Sequence, residues 1–156
     1  MSHETKVYGF IEGATWQRES YRLYQNKNIE IISQLPEEDE WPYLTSKMFG
    51  CSNPDDRQTT FRRHLIHFGA TIKGLECEYI EEWILKFEGL LNKLYWYTAV
   101  AHIKAEIHDE YSYHWRMERE FQMIKDMESL PPTTTWHRKQ LIAGNPVGEL
   151  NKSGNA

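Results

Sequence analysis

The sequence predicts an α+β fold: an antiparallel sheet of about four strands with two main helices packed on one face. Three observations carry this. In the stretch Glu78 to Leu94, Ile80, Trp83, Ile84, Phe87, Leu91 and Leu94 recur at i, i+3, i+4, i+7, i+11 and i+14, the stripe of an amphipathic helix. Directly after Trp96, Ala99, Ala101, Ile103, Ala105 and Ile107 alternate with Val100, His102, Lys104, Glu106 and His108, the two-residue period of a strand buried on one face. Three more alternating runs, two before and one after this stretch, supply further strands to be covered by the helix.

In chain order, Lys6 to Glu12 alternates Val7, Gly9 and Ile11 against Tyr8 and Phe10, and Gly13 stops it, so it reads as the first strand. From Thr15, a run without Gly or Pro places Tyr21, Tyr24, Asn28, Ile31, Ile32 and Leu35 at helical spacing. Thr15 is placed to cap this helix, and Pro36 ends it because proline disfavours helical backbone in the residue before it. Thr59 to Lys73 brings Ile66, Phe68, Ala70 and Ile72 to one face of a second strand, and Gly74 breaks it. After the amphipathic helix and third strand, His108 to Glu110 reads as a polar turn. Tyr111, Tyr113, Trp115 and Met117 then alternate, which predicts a hairpin. The order is strand, helix, strand, helix, strand, strand. Met117 to Leu130 is read as a short helix closed by Pro131 and Pro132, and the remainder as a helical or irregular extension with a tail-like end. One domain over 1–130 and a C-terminal extension over 131–156 follow.

The bulk properties narrow the classes of function. With 156 residues, a chain buries roughly 70% of its extended surface without metal or disulfide support. A net charge of −5 opposes broad nucleic-acid binding, which relies on clustered Lys and Arg, and favours a basic partner. Cys51 and Cys77 lack the spacing of a zinc site or disulfide framework and suit a reducing compartment. No secretory leader or apolar run of about 18 residues is read, so the expected location is cytoplasmic, with no membrane association. No nucleophile elbow or phosphate-cradling glycine loop is present, and the adjacent carboxylates Glu37 to Glu40, Asp55 with Asp56 and Glu81 with Glu82 project differently along the chain, whereas an acid/base pair needs opposed groups in a pocket. No cofactor is expected, and the chain does not read as an enzyme.

Two surfaces stand out. The segment Leu35 to Gln58, punctuated by Pro36, Pro42, Gly50 and Pro54, reads as an ordered loop in which Glu37, Glu38, Asp39 and Glu40 run directly into Trp41 and Tyr43. Charge and aromatics side by side are typical of binding loops. The plainer reading makes the acids a solvated run and folds Trp41, Leu44 and Phe49 back onto the core. Asp55 and Asp56 extend the acidic candidate set. The second surface is the less apolar sheet face, where His67, His102 and His114 lie on three different strands. With suitable register they would hold a metal or ligand in a small enzyme; otherwise they are ordinary surface histidines. A self-assembling subunit with exposed aromatics is a third class of reading.

The order of elements resembles that of small bacterial immunity proteins accompanying polymorphic toxins of Rhs-type or contact-dependent systems. The residues carrying the likeness are the strand ending Phe10-Ile11-Glu12, the helix ending Leu35-Pro36, and the loop Asp39 to Thr45 closing at Met48-Phe49. The strand, amphipathic helix and hairpin that follow complete it, over about residues 6 to 118, with Trp83 to Trp96 the strongest part. The resemblance implies a non-enzymatic protein that binds one cognate toxin domain stoichiometrically and blocks its active or substrate-binding surface. It transfers no contact residue. The candidate interface, Glu37, Glu38, Asp39, Glu40, Trp41 and Tyr43 with Asp55 and Asp56, comes from the residues alone.

Overall fold

The alternating runs become strands because one face of each is apolar, and the strands meet in one sheet larger than the sequence suggests. The computed structural model describes residues 3–13, 18–51, 65–106, 110–117, 135–142 and 145–153. Its elements are β1 (Glu4–Gly13), α1 (Arg18–Ser33), a 3-10 turn (Ser46–Met48), β2 (Phe49–Cys51), β3 (Leu65–Lys73), α2 (Cys77–Leu91), β4 (Trp96–Ala105), β5 (Glu110–Met117), β6 (Thr135–Ile142) and β7 (Asn145–Ser153). The strands form a seven-stranded sheet in the order β2-β3-β1-β4-β5-β6-β7, and the six pairings are all antiparallel.

This corrects the expected architecture of about four strands with two helices on one face and a helical or irregular end. Two of the extra strands, β6 and β7, come from the segment read as helical or irregular. The core-facing positions of β6 include Arg138 and Gln140, so no apolar alternation marks it. β7 contains Pro146 and Gly148, residues that weaken central strands, but it closes the sheet as an edge, where proline is tolerated. The third extra strand, β2, spans only three residues, too few for a period. The short helix expected after Met117, and the Thr15 cap, fall outside the described residues.

The core lies between the sheet and α2. Trp83, Ile84, Phe87, Leu91 and Leu94 are fully buried, as are Ile66, Ala99, Ala101 and Ile103 on the facing strands. Phe87 is the hub: its ring centroid lies 5.0 Å from both Phe68 and Trp115, and Trp83 stacks on it at 5.3 Å. Gly9 permits this closeness. A Cβ there would overlap the Val100 carbonyl and lie 2.9 Å from the Phe68 ring. Ile32 of α1 joins the same core. The Asn28 side chain fixes the helix by donating to the Tyr95 carbonyl and accepting from the Tyr95 N–H, both at 2.8 Å.

At the C-terminal end of α2 the Leu91 carbonyl accepts from Trp96 Nε1 at 2.9 Å. Among the described residues, no helix is long and apolar enough to cross a membrane.

Candidate functional site: an acidic aromatic loop and its cleft

The loop between α1 and β2 is folded by α2, not by its own backbone alone. Its base closes where Ser46 N–H donates to the Pro36 carbonyl at 3.2 Å. Two side chains of α2, three residues apart and so on neighbouring positions of the helix surface, then hold the interior. Trp83 Nε1 donates to the Tyr43 carbonyl at 2.9 Å. Lys86 Nζ donates to Asp39 Oδ2 at 2.9 Å and to the Glu40 carbonyl at 2.8 Å. Asp39 Oδ2 also accepts the Leu44 N–H at 3.0 Å, so one carboxylate ties the two ends of the turn to the helix.

The plainer sequence reading of the loop describes this arrangement, with Asp39 the exception among the acids. Trp41 packs edge-on against Tyr43 at 5.2 Å and Tyr79 at 5.6 Å. Leu44 is buried, and Phe49 lies against the core. Glu37, Glu38 and Glu40 are exposed, as is Tyr43 at 46%. Asp39 and Trp41 therefore hold the loop in shape, while three glutamates and one tyrosine face outward. Asp55 and Asp56 lie outside the described residues. Sequence reasoning missed Lys86, which lies 47 residues from Asp39 and carries no local mark of its role.

Burial pushes the Asp39 carboxyl upward, but the Leu44 N–H and the Lys86 ammonium outweigh it and hold the group below its ordinary value of 3.8. A carboxyl depressed in the folded state contributes stability above its unfolded pKa and loses it as pH falls through the folded one. The loop is thus expected to stay closed at neutral pH and to loosen only below about pH 4. Asp39→Ala should lower stability by about 1–3 kcal/mol at neutral pH, because Leu44 N–H and Lys86 lose their acceptor. Urea denaturation followed by tryptophan fluorescence measures this, and the mutant should lose less stability than the wild type on acidification below about pH 4, because the share that Asp39 contributes is gone.

Between the loop and the end of β3 lies a cleft of about 710 Å³, lined by Glu37, Glu38, Asp39, Trp41, Tyr43, Thr45, Met48 and the strand residues Ala70 to Lys73. Its size is that of an ordinary ligand-accepting cleft. It opens because the chain leaves the sheet at the 3-10 turn, so β2 pairs with β3 only from Ile66 to Phe68.

The histidine face has a different geometry. His102 Nδ1 lies 2.8 Å from Ser112 Oγ, its ring sits 5.2 Å from Tyr8, and His114 is edge-on to it at 6.3 Å. Burial, His102 and Lys139 together keep His114 below the usual histidine value. His67 does not join them. Strand β1 stands between β3 and β4, and the His67 ring lies over Gly50, where a Cβ would overlap Nε2. Among the described residues, no group of three or more His, Cys, Asp or Glu side chains is placed to hold a metal ion. Cys51 is half-buried, and burial raises its thiol pKa, the opposite of an activated nucleophile. No family model, curated protein or solved structure matches the chain.

Proposed function

We propose that the protein is an immunity protein of a polymorphic toxin system. It acts in the cytoplasm without catalysis, binding a cognate bacterial toxin domain and occluding its active or substrate-binding surface stoichiometrically. The observation that supports this best is the clamped loop: Glu37, Glu38, Glu40 and Tyr43 project from a turn that Trp83 and Lys86 hold in place. A surface organised before binding loses little freedom on docking. Three outward carboxylates on a chain of net charge −5 steer a basic partner toward the loop, and an exposed tyrosine is a favoured anchor.

The test is capture of a toxin domain encoded beside this chain. A stable 1:1 complex and loss of toxicity on co-expression are expected. A toxin that remains active at excess of this protein, with no complex formed, overturns the reading.

A further inference from the structure

The end of β3 offers more than a wall to the cleft. The Glu4 carbonyl accepts the Glu106 N–H at 3.2 Å, so the backbone polar groups of Glu4 face β4 and those of Thr5 face β3. In an antiparallel pair this direction alternates residue by residue. Carried through the register Glu4↔Lys73, Thr5↔Ile72, Lys6↔Thr71 and Val7↔Ala70, it turns Ile72 and Ala70 toward β1 and Thr71 and Lys73 away from it. The same conclusion follows at the strand end, where Gly74 N–H donates to the His3 carbonyl at 2.9 Å.

On the far side, β2 pairs no further along β3 than Phe68. Among the described residues no other strand takes its place, so Thr71 and Lys73 direct their N–H and C=O groups into the cleft. Both residues line it. Glu37, Glu38 and Tyr43 line the same cleft, and Asp39 is already neutralised by Lys86.

We propose that this cleft receives an extended, basic segment of the partner protein, which adds as a strand to the free end of β3. The proposal rests on the reading of the chain as a protein that binds another protein, and it specifies how. Free strand edges are templates for pairing, and strand addition combines main-chain hydrogen bonds with side-chain selection by the flanking surfaces. Here the selection is by charge. Alternate side chains of an added strand project toward the loop, where two exposed glutamates outnumber the single Lys73 and favour Lys or Arg.

The experiment is an NMR titration of the full chain with three capped seven-residue peptides. The first alternates lysine with threonine and valine, the second carries glutamate in place of lysine, and the third repeats the first with every amide N-methylated. The lysine peptide should shift the Thr71 and Lys73 amides saturably and slow their hydrogen exchange by at least about tenfold. The glutamate and N-methylated peptides should bind at least about tenfold more weakly.

Thr71→Pro removes one cleft-facing N–H at an edge position that tolerates proline, and it should weaken the lysine peptide to a similar degree. No saturable binding, equal binding of the N-methylated peptide, or shifts confined to Tyr8, His102 and His114 on the opposite sheet face overturns strand addition. If Thr71→Pro does not fold, the N-methylated peptide decides alone. The titration contains no toxin, so its failure removes strand addition only. A chain that accepts the peptide yet binds no toxin removes the toxin reading only.

Discussion

Glu88→Ala should cost the fold about 3–5 kcal/mol, the usual penalty for removing one partner of a buried charge pair. Glu88 lies on the sheet side of α2 with its side chain only 4% exposed, and Arg138 of β6 reaches it at 2.8 Å while itself 12% exposed. The same carboxylate accepts from Trp115 Nε1 at 3.3 Å. Without it, the Arg138 guanidinium keeps the more exposed Glu81, at 3.4 Å, and the face of the Tyr113 ring, 5.9 Å from its centroid, and the Trp115 ring N–H loses an acceptor. The double replacement Glu88→Met, Arg138→Met should recover most of the loss, because two long apolar side chains remove both desolvated charges together. Denaturant unfolding midpoints compare the three chains. A Glu88→Ala change within about 0.5 kcal/mol of wild type, the range of ordinary surface substitutions, would show that the pair does not secure β6 to α2.

Charge reversal on the loop is expected to act on binding and spare stability. Glu37, Glu38 and Glu40 are exposed, and the clamp runs through Asp39 and the Glu40 carbonyl, neither of which Glu37→Lys, Glu38→Lys and Glu40→Lys remove. The triple variant should melt as the wild type does. Its association with the toxin should slow by about ten- to a hundredfold at low salt, and the gap should narrow as salt screens the field. Tyr43→Ala should act instead on dissociation, weakening the complex by about 1–2 kcal/mol as loss of an aromatic anchor does. Stopped-flow association at several salt concentrations separates the two. Unchanged rates in the triple variant would remove the acidic loop from the interface.

The parts of the fold legible in the sequence were those whose burial is a matter of apolar spacing. The stripe from Ile80 to Leu94 and the alternation of Ala99, Ala101 and Ile103 mark buried faces because apolar side chains recur there at the helix and strand periods. β6 was not legible, since Arg138 enters the interior only because Glu88, 50 residues away, awaits it. Pairing at that distance leaves no local period. The same holds for the site. Exposure of Glu37, Glu38 and Glu40 follows from their charge, whereas the inward turn of Asp39 depends on Lys86. The histidines show the limit most plainly: each face assignment came from alternation, but their separation is a matter of strand order, with β1 lying between His67 and the pair His102 and His114.

The most direct test of the proposed docking surface is amide hydrogen exchange of the chain alone and in its complex with the toxin domain. Protection is expected over the segment from Glu37 to Leu44 and at Thr71 and Lys73. Protection confined to the opposite sheet face, at Tyr8, His102 and His114, with the loop and the end of β3 exchanging as in the free protein, would contradict it.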